Sequence, residues 1–202
     1  MCSPPTGAQL RVLLDRAEEK GPAVGAWFAL ACTGMRPGEI LGLSRGALHL
    51  DDGRAEIALA RETRGRPEEK ALKSEKARRS LPLTRRAVAL LRRHLENQPA
   101  GKVVALDAPV FATRGGGAVS YRNAYRWWPK LRDAAKLPPG TRPYDCRHAY
   151  ATELLAEGVP LHEVSWLMGH ASVHFTADVY GHRVKRRDEA ARSALERALG
   201  DA

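Results

Sequence analysis

The sequence predicts an α+β fold that is mainly α-helical and contains one small antiparallel β-sheet. Most of the 202-residue chain shows apolar residues at the spacing of amphipathic helices. The alternation typical of strands is confined to residues 47–60 and 80–83. Hydrophobic residues make up 44% of the chain, which is enough for a packed core and excludes disorder from end to end.

The N-terminal part of the chain predicts three helices. Thr6 is a suitable N-cap before an apolar stripe, and this first helix ends near Gly21-Pro22. A small and apolar run predicts the second helix over residues 23–33. Pro37 suits the first turn of a third helix. Two helices are therefore expected to meet around Arg36.

The predicted sheet follows these helices. Residues 47–60 alternate between apolar and polar types, and Asp51-Asp52-Gly53 predicts a turn between two short strands. The strand pattern returns at residues 80–83. Between the two, the charged residues 61–79 predict a long exposed hairpin or loop.

The second half of the chain predicts further helices and one short strand. Thr84 caps a helix with an apolar stripe, and residues 110–111 form a short strand before a glycine turn. The remaining predicted helices cover residues 120–135, 144–157, 160–168 and 184–199. In the helix 120–135, Arg122 and Arg126 lie one turn apart, as on a helix against DNA, with the tryptophans towards the core.

The positive charge is concentrated in the middle of the chain. The whole chain has 33 Lys and Arg against 23 Asp and Glu, a net charge of +10. Residues 61–140 alone hold 19 of the basic and 7 of the acidic side chains. This segregation indicates a nucleic-acid-binding surface, with a solvated basic face as the alternative.

Composition also argues against several other classes of protein. No window approaches the ~18 apolar residues of a membrane helix, and no signal segment precedes the first helix, so a cytoplasmic protein is expected. Three cysteines without a CxxC pair predict reduced thiols and no disulfide framework. His170 and His174 lack a third metal ligand nearby, and we expect neither a metal nor a cofactor.

Four separate stretches carry residues that suit phosphate chemistry at helix ends. They are residues 33–39, 72–83, 144–148 and 167–180. Each alone is a weak signal, whereas four in this order are a strong one. Together they resemble the active-site boxes of the tyrosine recombinases, the phage-integrase family of site-specific DNA recombinases. The resemblance covers nearly the whole chain and implies the catalytic-domain fold of that family.

The resemblance assigns roles in DNA cleavage to five side chains, namely Arg36, Lys73, Arg147, His170 and the nucleophile Tyr180. Two guanidiniums and an imidazole can stabilise the charge that develops on the non-bridging phosphate oxygens. A hairpin lysine can protonate the departing 5′ oxygen. The cationic surroundings are expected to lower the pKa of Tyr180, which is ordinarily near ~10.

Three further residues are expected to support this site. Glu39, three residues after Arg36, is expected to orient a catalytic guanidinium. Tyr144 stands where the family usually has a histidine, which leaves the general base open, and we expect Tyr144 to contact the phosphate or the nucleophile. His148 is interpreted as a structural neighbour of the site. DNA contacts are expected from Lys76, Arg78, Arg79, Arg122, Arg126 and Lys130.

The implied function is metal-independent cleavage and rejoining of double-stranded DNA through a covalent 3′-phosphotyrosyl intermediate. The alternatives are DNA relaxation of the type IB topoisomerase kind and a non-cutting DNA-binding module on the same fold. One catalytic domain is expected over residues 1–202, with a core at 6–183, a C-terminal helix at 184–199 and no N-terminal DNA-binding domain in the chain. In the family such domains act as tetramers on DNA and exchange the last helix, and a monomer in isolation is compatible with the sequence.

Overall fold

The structure is a computed structural model that describes residues 4–61, 69–71, 78–98, 105–170, 172–181 and 188–199. Helices dominate these residues and accompany a small antiparallel sheet, which confirms the predicted fold class. The helices are α1 (Gly7–Glu19), α2 (Pro22–Cys32), α3 (Pro37–Gly42), α4 (Arg85–Glu96), α5 (Tyr121–Tyr125), α6 (Trp128–Ala134), α7 (Asp145–Ala156), α8 (Leu161–Leu167), α9 (Val173–Tyr180) and α10 (Asp188–Leu199).

The strands form two antiparallel sheets. The larger has the order β1-β2-β5, from β1 (Leu48–His49), β2 (Arg54–Ile57) and β5 (Arg79–Pro82). The smaller pairs β3 (Leu59–Arg61) with β4 (Glu69–Ala71), which places a hairpin in the predicted charged stretch. In the larger sheet Ala55 lies opposite Leu81, and both side chains are buried on the face that meets the core.

Local capping explains where α1 and α4 begin. The Thr6 hydroxyl accepts a hydrogen bond from the backbone N–H of Gln9, and the Gln9 side chain accepts one from the backbone N–H of Thr6. Thr84 accepts in the same way from the backbone N–H of Ala87. These bonds satisfy donors that the first turn of a helix leaves without partners, so both predicted caps are confirmed.

The apolar residues form a main core and a smaller second cluster. In the main core α2 is buried along most of its length and packs against α1 and α4. The second cluster joins α7, α8 and α9 and consists of Ala151, Leu155, Val164, Met168 and Tyr180. In the part of the chain that the structure describes, no helix combines the length and the apolar content that crossing a membrane requires.

The prediction of one continuous helix over residues 120–135 is wrong, because this segment contains two helices. The structure divides it into α5 and α6, because Pro129 has no N–H to donate and its ring would clash with the preceding turn. Trp128 is buried, and its indole N–H donates to the carbonyl of Thr141 at 3.0 Å. Trp127, predicted to face the core, stays partly exposed.

Other local predictions are also corrected. Residues 110–111 are buried but form no strand, with isolated bridges at Pro109 and Ala112 on either side. His94, for which the sequence indicated a surface or capping position, is buried against the Phe111 ring, and its Nε2 lies 2.9 Å from the carbonyl oxygen of Val110. Helix α9 was not predicted. The predicted start of the last helix at residue 184 lies outside the described residues, and in the described part, α10, Leu195 and Leu199 are exposed.

Candidate active site

Several of the residues singled out in the sequence lie at the ends of helices. Arg36 is the N-cap of α3, and Tyr144 is the N-cap of α7. Arg147 lies in the first turn of α7, while Tyr180 is the last residue of α9. Side chains at helix ends can converge from several elements on one point, and here Arg36 and Arg147 both reach the turn after α8.

A buried carboxylate lies at the centre of this site. Glu39 is 1% exposed, and its two oxygens accept hydrogen bonds from both terminal nitrogens of Arg79, at 2.9 and 3.0 Å. It also accepts from Arg36, through the guanidinium at 2.8 Å and the backbone N–H at 2.7 Å. Burial alone would raise the pKa of Glu39, but Arg79, with the charges of Arg147 and Arg36, holds it below its ordinary value. Glu39 therefore stays ionised and orients Arg36.

Three guanidiniums donate hydrogen bonds to the turn after α8, at residues 167–169. Three consecutive backbone carbonyls each accept a hydrogen bond from a different arginine. The pairs are Arg79 with Leu167 at 2.7 Å, Arg147 with Met168, and Arg36 with Gly169 at 2.9 Å. The unpaired carbonyls at the C-terminal end of a helix carry partial negative charge and favour cations there. The turn thus sets the positions of both arginines implicated by the sequence.

Replacing Gly169 by alanine is expected to destabilise the protein and displace Arg79. The backbone of Gly169 has φ +58°, and a Cβ added there would lie 2.6 Å from Nη1 of Arg79. The left-handed backbone costs a non-glycine residue about 1–2 kcal/mol, and the clash adds to it. Urea unfolding measures the loss, with Gly115→Ala, an open position, as the control. Equal stability of the two variants would contradict this account.

Arg147 is a deeply buried cation of the site. It is 1% exposed, and besides its bond to Met168 it donates to the carbonyl of Gly34. Its Nε–H has no hydrogen-bond partner among the described residues. Burial, reinforced by the charge of Arg36, lowers the pKa of Arg147 to about 10, so it remains charged at neutral pH. A buried donor without a partner suits an anionic group that binds there.

The hydroxyl of Tyr180 contacts an imidazole. It lies 2.5 Å from Nδ1 of His148, and the ring of Tyr144 packs edge-on against His148 with the centroids 5.1 Å apart. His148, interpreted from the sequence as only a structural neighbour, is thus in direct contact with the predicted nucleophile. Tyr144 and His148 are one helical turn apart, which brings their rings together.

Burial dominates the pKa values of this group. It raises the pKa of Tyr180 to about 12, and the opposing effect of the Arg147 charge is smaller. The expected net lowering of the tyrosine pKa by cationic surroundings is therefore absent from this structure. Burial also lowers the pKa of His148, an effect to which Arg147 and Arg142 add and which Asp145 opposes. At neutral pH both partners are uncharged.

His170 follows α8 and is fixed by a residue to which the sequence analysis gave no role. Its Nδ1 lies 2.7 Å from the hydroxyl of buried Thr176, and its ring meets that of Phe175 edge-on at 4.8 Å. Burial, with the charge of Arg147 next in effect, lowers the pKa of His170 to about 4. The position of Thr176, four residues before Tyr180 on one helix face, is the signal that could have identified it.

The residues predicted to contact DNA have three different outcomes. The prediction that Arg79 contacts DNA is wrong, because its guanidinium is fully buried against Glu39. Lys73 and Lys76 lie outside the described residues. The other predicted contacts are exposed, namely Arg78, Arg122, Arg126 and Lys130.

A basic and aromatic surface surrounds Trp127. Three cations lie over its ring, from Arg126 at 5.2 Å and from Lys20 and Lys130 at 5.9 Å each. The sequence analysis gave no role to Lys20, which comes from a distant part of the chain.

Within the described ranges no three His, Cys, Asp or Glu side chains form a group that could hold a metal ion.

Comparisons with known proteins identify the class to which this chain belongs, the tyrosine recombinases. The chain belongs to the phage integrase family, whose sequence pattern it matches over residues 7–187. It is 30% identical over 189 residues to a XerC-like tyrosine recombinase of Caldanaerobacter subterraneus subsp. tengcongensis, covering 83% of this chain and 48% of that protein. It is also 30% identical over 197 residues to an integrase of Streptomyces ambofaciens, with 89% and 49% covered. The chain spans about half the length of these relatives.

Solved structures share the fold at lower sequence identity. The integrase of the Tn1549 transposon, in complex with a circular intermediate DNA, superposes with a TM-score of 0.75 at 19% identity, covering 98% of this chain and 66% of that one. The catalytic domain of the bacteriophage HP1 integrase gives a TM-score of 0.62 at 16% identity, with 96% and 95% covered. This likeness confirms the predicted tyrosine recombinase catalytic-domain fold.

Proposed function

We propose that this chain cleaves and rejoins double-stranded DNA at specific sites, without a metal, through a covalent 3′-phosphotyrosyl bond to Tyr180. The observation that carries the proposal is that Arg36 and Arg147 meet at one turn, that the charge of Arg147 acts on both Tyr180 and His170, and that Tyr180 contacts His148, in a chain of the phage integrase family. The family match favours recombination over the topoisomerase alternative.

The arginines bind the scissile phosphate in this proposal. When the tyrosyl oxygen attacks phosphorus, negative charge grows on the two non-bridging oxygens. Arg147 offers a buried Nε–H that has no partner among the described residues, and Arg36, with 34% of its side chain exposed, is accessible from solvent. Their hydrogen bonds to Glu39 and to the turn after α8 fix both guanidiniums before the substrate binds. Such preorganisation lowers the barrier because no reorientation is needed during the reaction.

His170 and Lys73 complete the proposed chemistry. With a pKa of about 4, His170 is neutral at pH 7, and its Nδ1 is engaged by Thr176. Its Nε2–H can then donate a hydrogen bond to a phosphate oxygen. Lys73 is proposed as the acid that protonates the departing 5′ oxygen. Tyr144, whose ring supports His148, is proposed to contribute through that packing.

The proposed partner is double-stranded DNA. The Tn1549 and XerH relatives of similar fold are seen in complexes with DNA. On this chain the exposed cations around Trp127 form a surface that can neutralise phosphates. We propose that the chain acts in the cytoplasm as one catalytic domain and assembles as a homotetramer on DNA.

Covalent trapping tests the proposal directly. The protein is mixed, without magnesium, with a pool of nicked duplexes of randomised sequence, so that the cleaved strand end diffuses away and the adduct accumulates. The expected result is a detergent-resistant adduct on Tyr180, identified by mass spectrometry, with one sequence enriched among the captured strands. An adduct on a different residue would contradict the assigned nucleophile. DNA binding without any adduct would favour the non-cutting module.

A further inference from the structure

We propose that His148 is the base that takes the proton of the Tyr180 hydroxyl during DNA cleavage and returns it during rejoining. The inference rests on the proposed function and assigns a catalytic role to a residue that the sequence pattern left without one. Nδ1 of His148 lies 2.5 Å from the phenolic oxygen, so the imidazole touches the atom that attacks phosphorus. The imidazole is therefore within hydrogen-bond reach of the proton that a general base would take.

The surrounding rings hold this imidazole in place. The Tyr144 ring meets His148 edge-on, with centroids 5.1 Å apart, and the Tyr180 ring lies tilted against it at 5.9 Å. His148 is in the first turn of α7, directly after Arg147, and Tyr180 ends α9. Both helices pack in the second apolar cluster, which fixes their separation. The contact therefore arises from rigid elements and not from a loop.

The direction of the hydrogen bond follows from the state of each partner. Burial raises the pKa of Tyr180 to about 12, so the phenol carries its proton at neutral pH. Burial lowers the pKa of His148, and an unprotonated imidazole is the state that a base requires. The phenol then donates to Nδ1, with the remaining imidazole proton on Nε2. Tyr144 is a poor alternative, because a neutral phenol accepts protons far less readily than an imidazole.

The proposed step balances protons and bonds. The Tyr180 oxygen forms its bond to phosphorus as its proton moves to Nδ1 of His148, and the bond from phosphorus to the 5′ oxygen breaks. That oxygen takes a proton from Lys73. In rejoining, the 5′ hydroxyl attacks the phosphotyrosine, Lys73 recovers its proton, and the imidazolium of His148 returns one to Tyr180. A full cycle consumes no proton, metal or nucleotide.

The variant His148→Asn separates proton transfer from hydrogen bonding. The asparagine carbonyl can accept a hydrogen bond near the position of Nδ1 but cannot take the proton. On the duplex enriched by the trapping selection, its single-turnover cleavage is expected to fall by about 10²–10⁴-fold with unchanged DNA affinity. The control is His162→Asn, at an exposed position on α8, which is expected to cleave at the wild-type rate.

A modified substrate distinguishes the base from the acid. Sulfur in place of the 5′ bridging oxygen leaves without a proton, so this duplex no longer needs the acid. Lys73→Ala is expected to recover on it, whereas His148→Asn is expected to stay slow. Recovery of His148→Asn to the same extent as Lys73→Ala would overturn the inference, because it would place His148 at the leaving group.

The dependence of the rate on pH provides a second, independent test. Cleavage by the wild type is expected to fall as the pH drops through the pKa of His148, which lies below the ordinary histidine value of about 6.5. The charged and titratable groups around it are Asp145, Arg142, Arg147, Tyr144, Tyr180 and His170. The pKa of His170 is also lowered, to about 4, so the comparison with His148→Gln identifies which histidine causes the fall. In His148→Gln this fall should disappear.

The outcomes separate this inference from the proposed function. If the wild type forms the Tyr180 adduct and both His148 variants cleave at the wild-type rate, only the inference is overturned. If the wild type forms no adduct from the randomised pool, the proposed function fails and the inference fails with it. Should His148→Asn fail to fold, the wild-type pH profile and the His148→Gln variant decide the question.

Discussion

Tyr180→Phe is expected to abolish the covalent protein–DNA adduct while leaving DNA affinity unchanged. The change removes the oxygen that attacks phosphorus but keeps the ring, which packs with Leu155, Val164 and Met168. Stability should fall by only about 1 kcal/mol, the usual contribution of one hydrogen bond, here the bond to His148. The measurements are a denaturing gel for the adduct and DNA affinity over a range of salt concentrations, since the salt dependence reports the phosphate contacts.

A second tyrosine provides the matched control for this experiment. Tyr125 is buried in the main core, and Tyr125→Phe makes the same chemical change away from the arginine cluster. This control should form the adduct as the wild type does. A remaining adduct in Tyr180→Phe would show that a different residue is the nucleophile. A large loss of DNA affinity would show that the hydroxyl serves binding and not attack.

Glu39→Gln is expected to destabilise the fold by about 3–5 kcal/mol, because it removes the buried negative charge that pairs with the buried guanidinium of Arg79. The change should also weaken the hydrogen bonds that hold the Arg36 guanidinium in place. The rate of DNA cleavage is therefore expected to fall by a larger factor than DNA affinity. The measurement is the free energy of unfolding in urea. Glu19→Gln is the control, since Glu19 pairs with Arg16 at the same 2.8 Å that separates Glu39 from Arg36, but at an exposed position. An exposed pair contributes no more than about 1 kcal/mol.

The effect of Glu39→Gln should also depend on pH. The pKa of Glu39 in the folded protein lies below its ordinary value. Its charge therefore stabilises the fold fully above that ordinary value, and this contribution is lost as the pH falls through the folded-state pKa. The stability difference between wild type and Glu39→Gln should narrow in acid. A difference that stays constant into strong acid would contradict the role of the carboxylate charge.

Much of the fold could be predicted because its signals are local. The caps at Thr6 and Thr84 depend on hydrogen bonds to residues three positions away, so the sequence contains the complete interaction. The turn at residues 51–53 depends only on which residue types tolerate it. Pro129 is also a local signal, and the break it causes between α5 and α6 could have been predicted from the same rule.

The error at Arg79 has a different origin. A run of basic residues indicates an exposed segment, and Arg78 is indeed exposed. In a strand, however, alternate residues share a face, and Arg79 lies two positions before the buried Leu81. This alternation puts the Arg79 side chain on the buried face of the strand. Its pairing with Glu39 could not be predicted from the sequence of either segment alone.

The contact between His148 and Tyr180 could not have been predicted from the sequence. Helical spacing puts Tyr144 and His148 on one face, but no local rule places the end of α9 beside the start of α7. That placement comes from the apolar cluster that α7, α8 and α9 share. The tertiary structure was therefore needed to show which side chain contacts the proposed nucleophile.

The turn after α8 also has a consequence for the order in which the molecule is built. Its hydrogen bonds to Arg79 and Arg36 join residues 88 and 133 positions apart, and Arg147 reaches back 113 positions to Gly34. Closing such long loops is entropically costly, so contacts of this kind form late in folding. On the ribosome, α3 and β5 emerge long before α8. The arrangement of the three arginines around this turn therefore forms only after most of the chain has been synthesised.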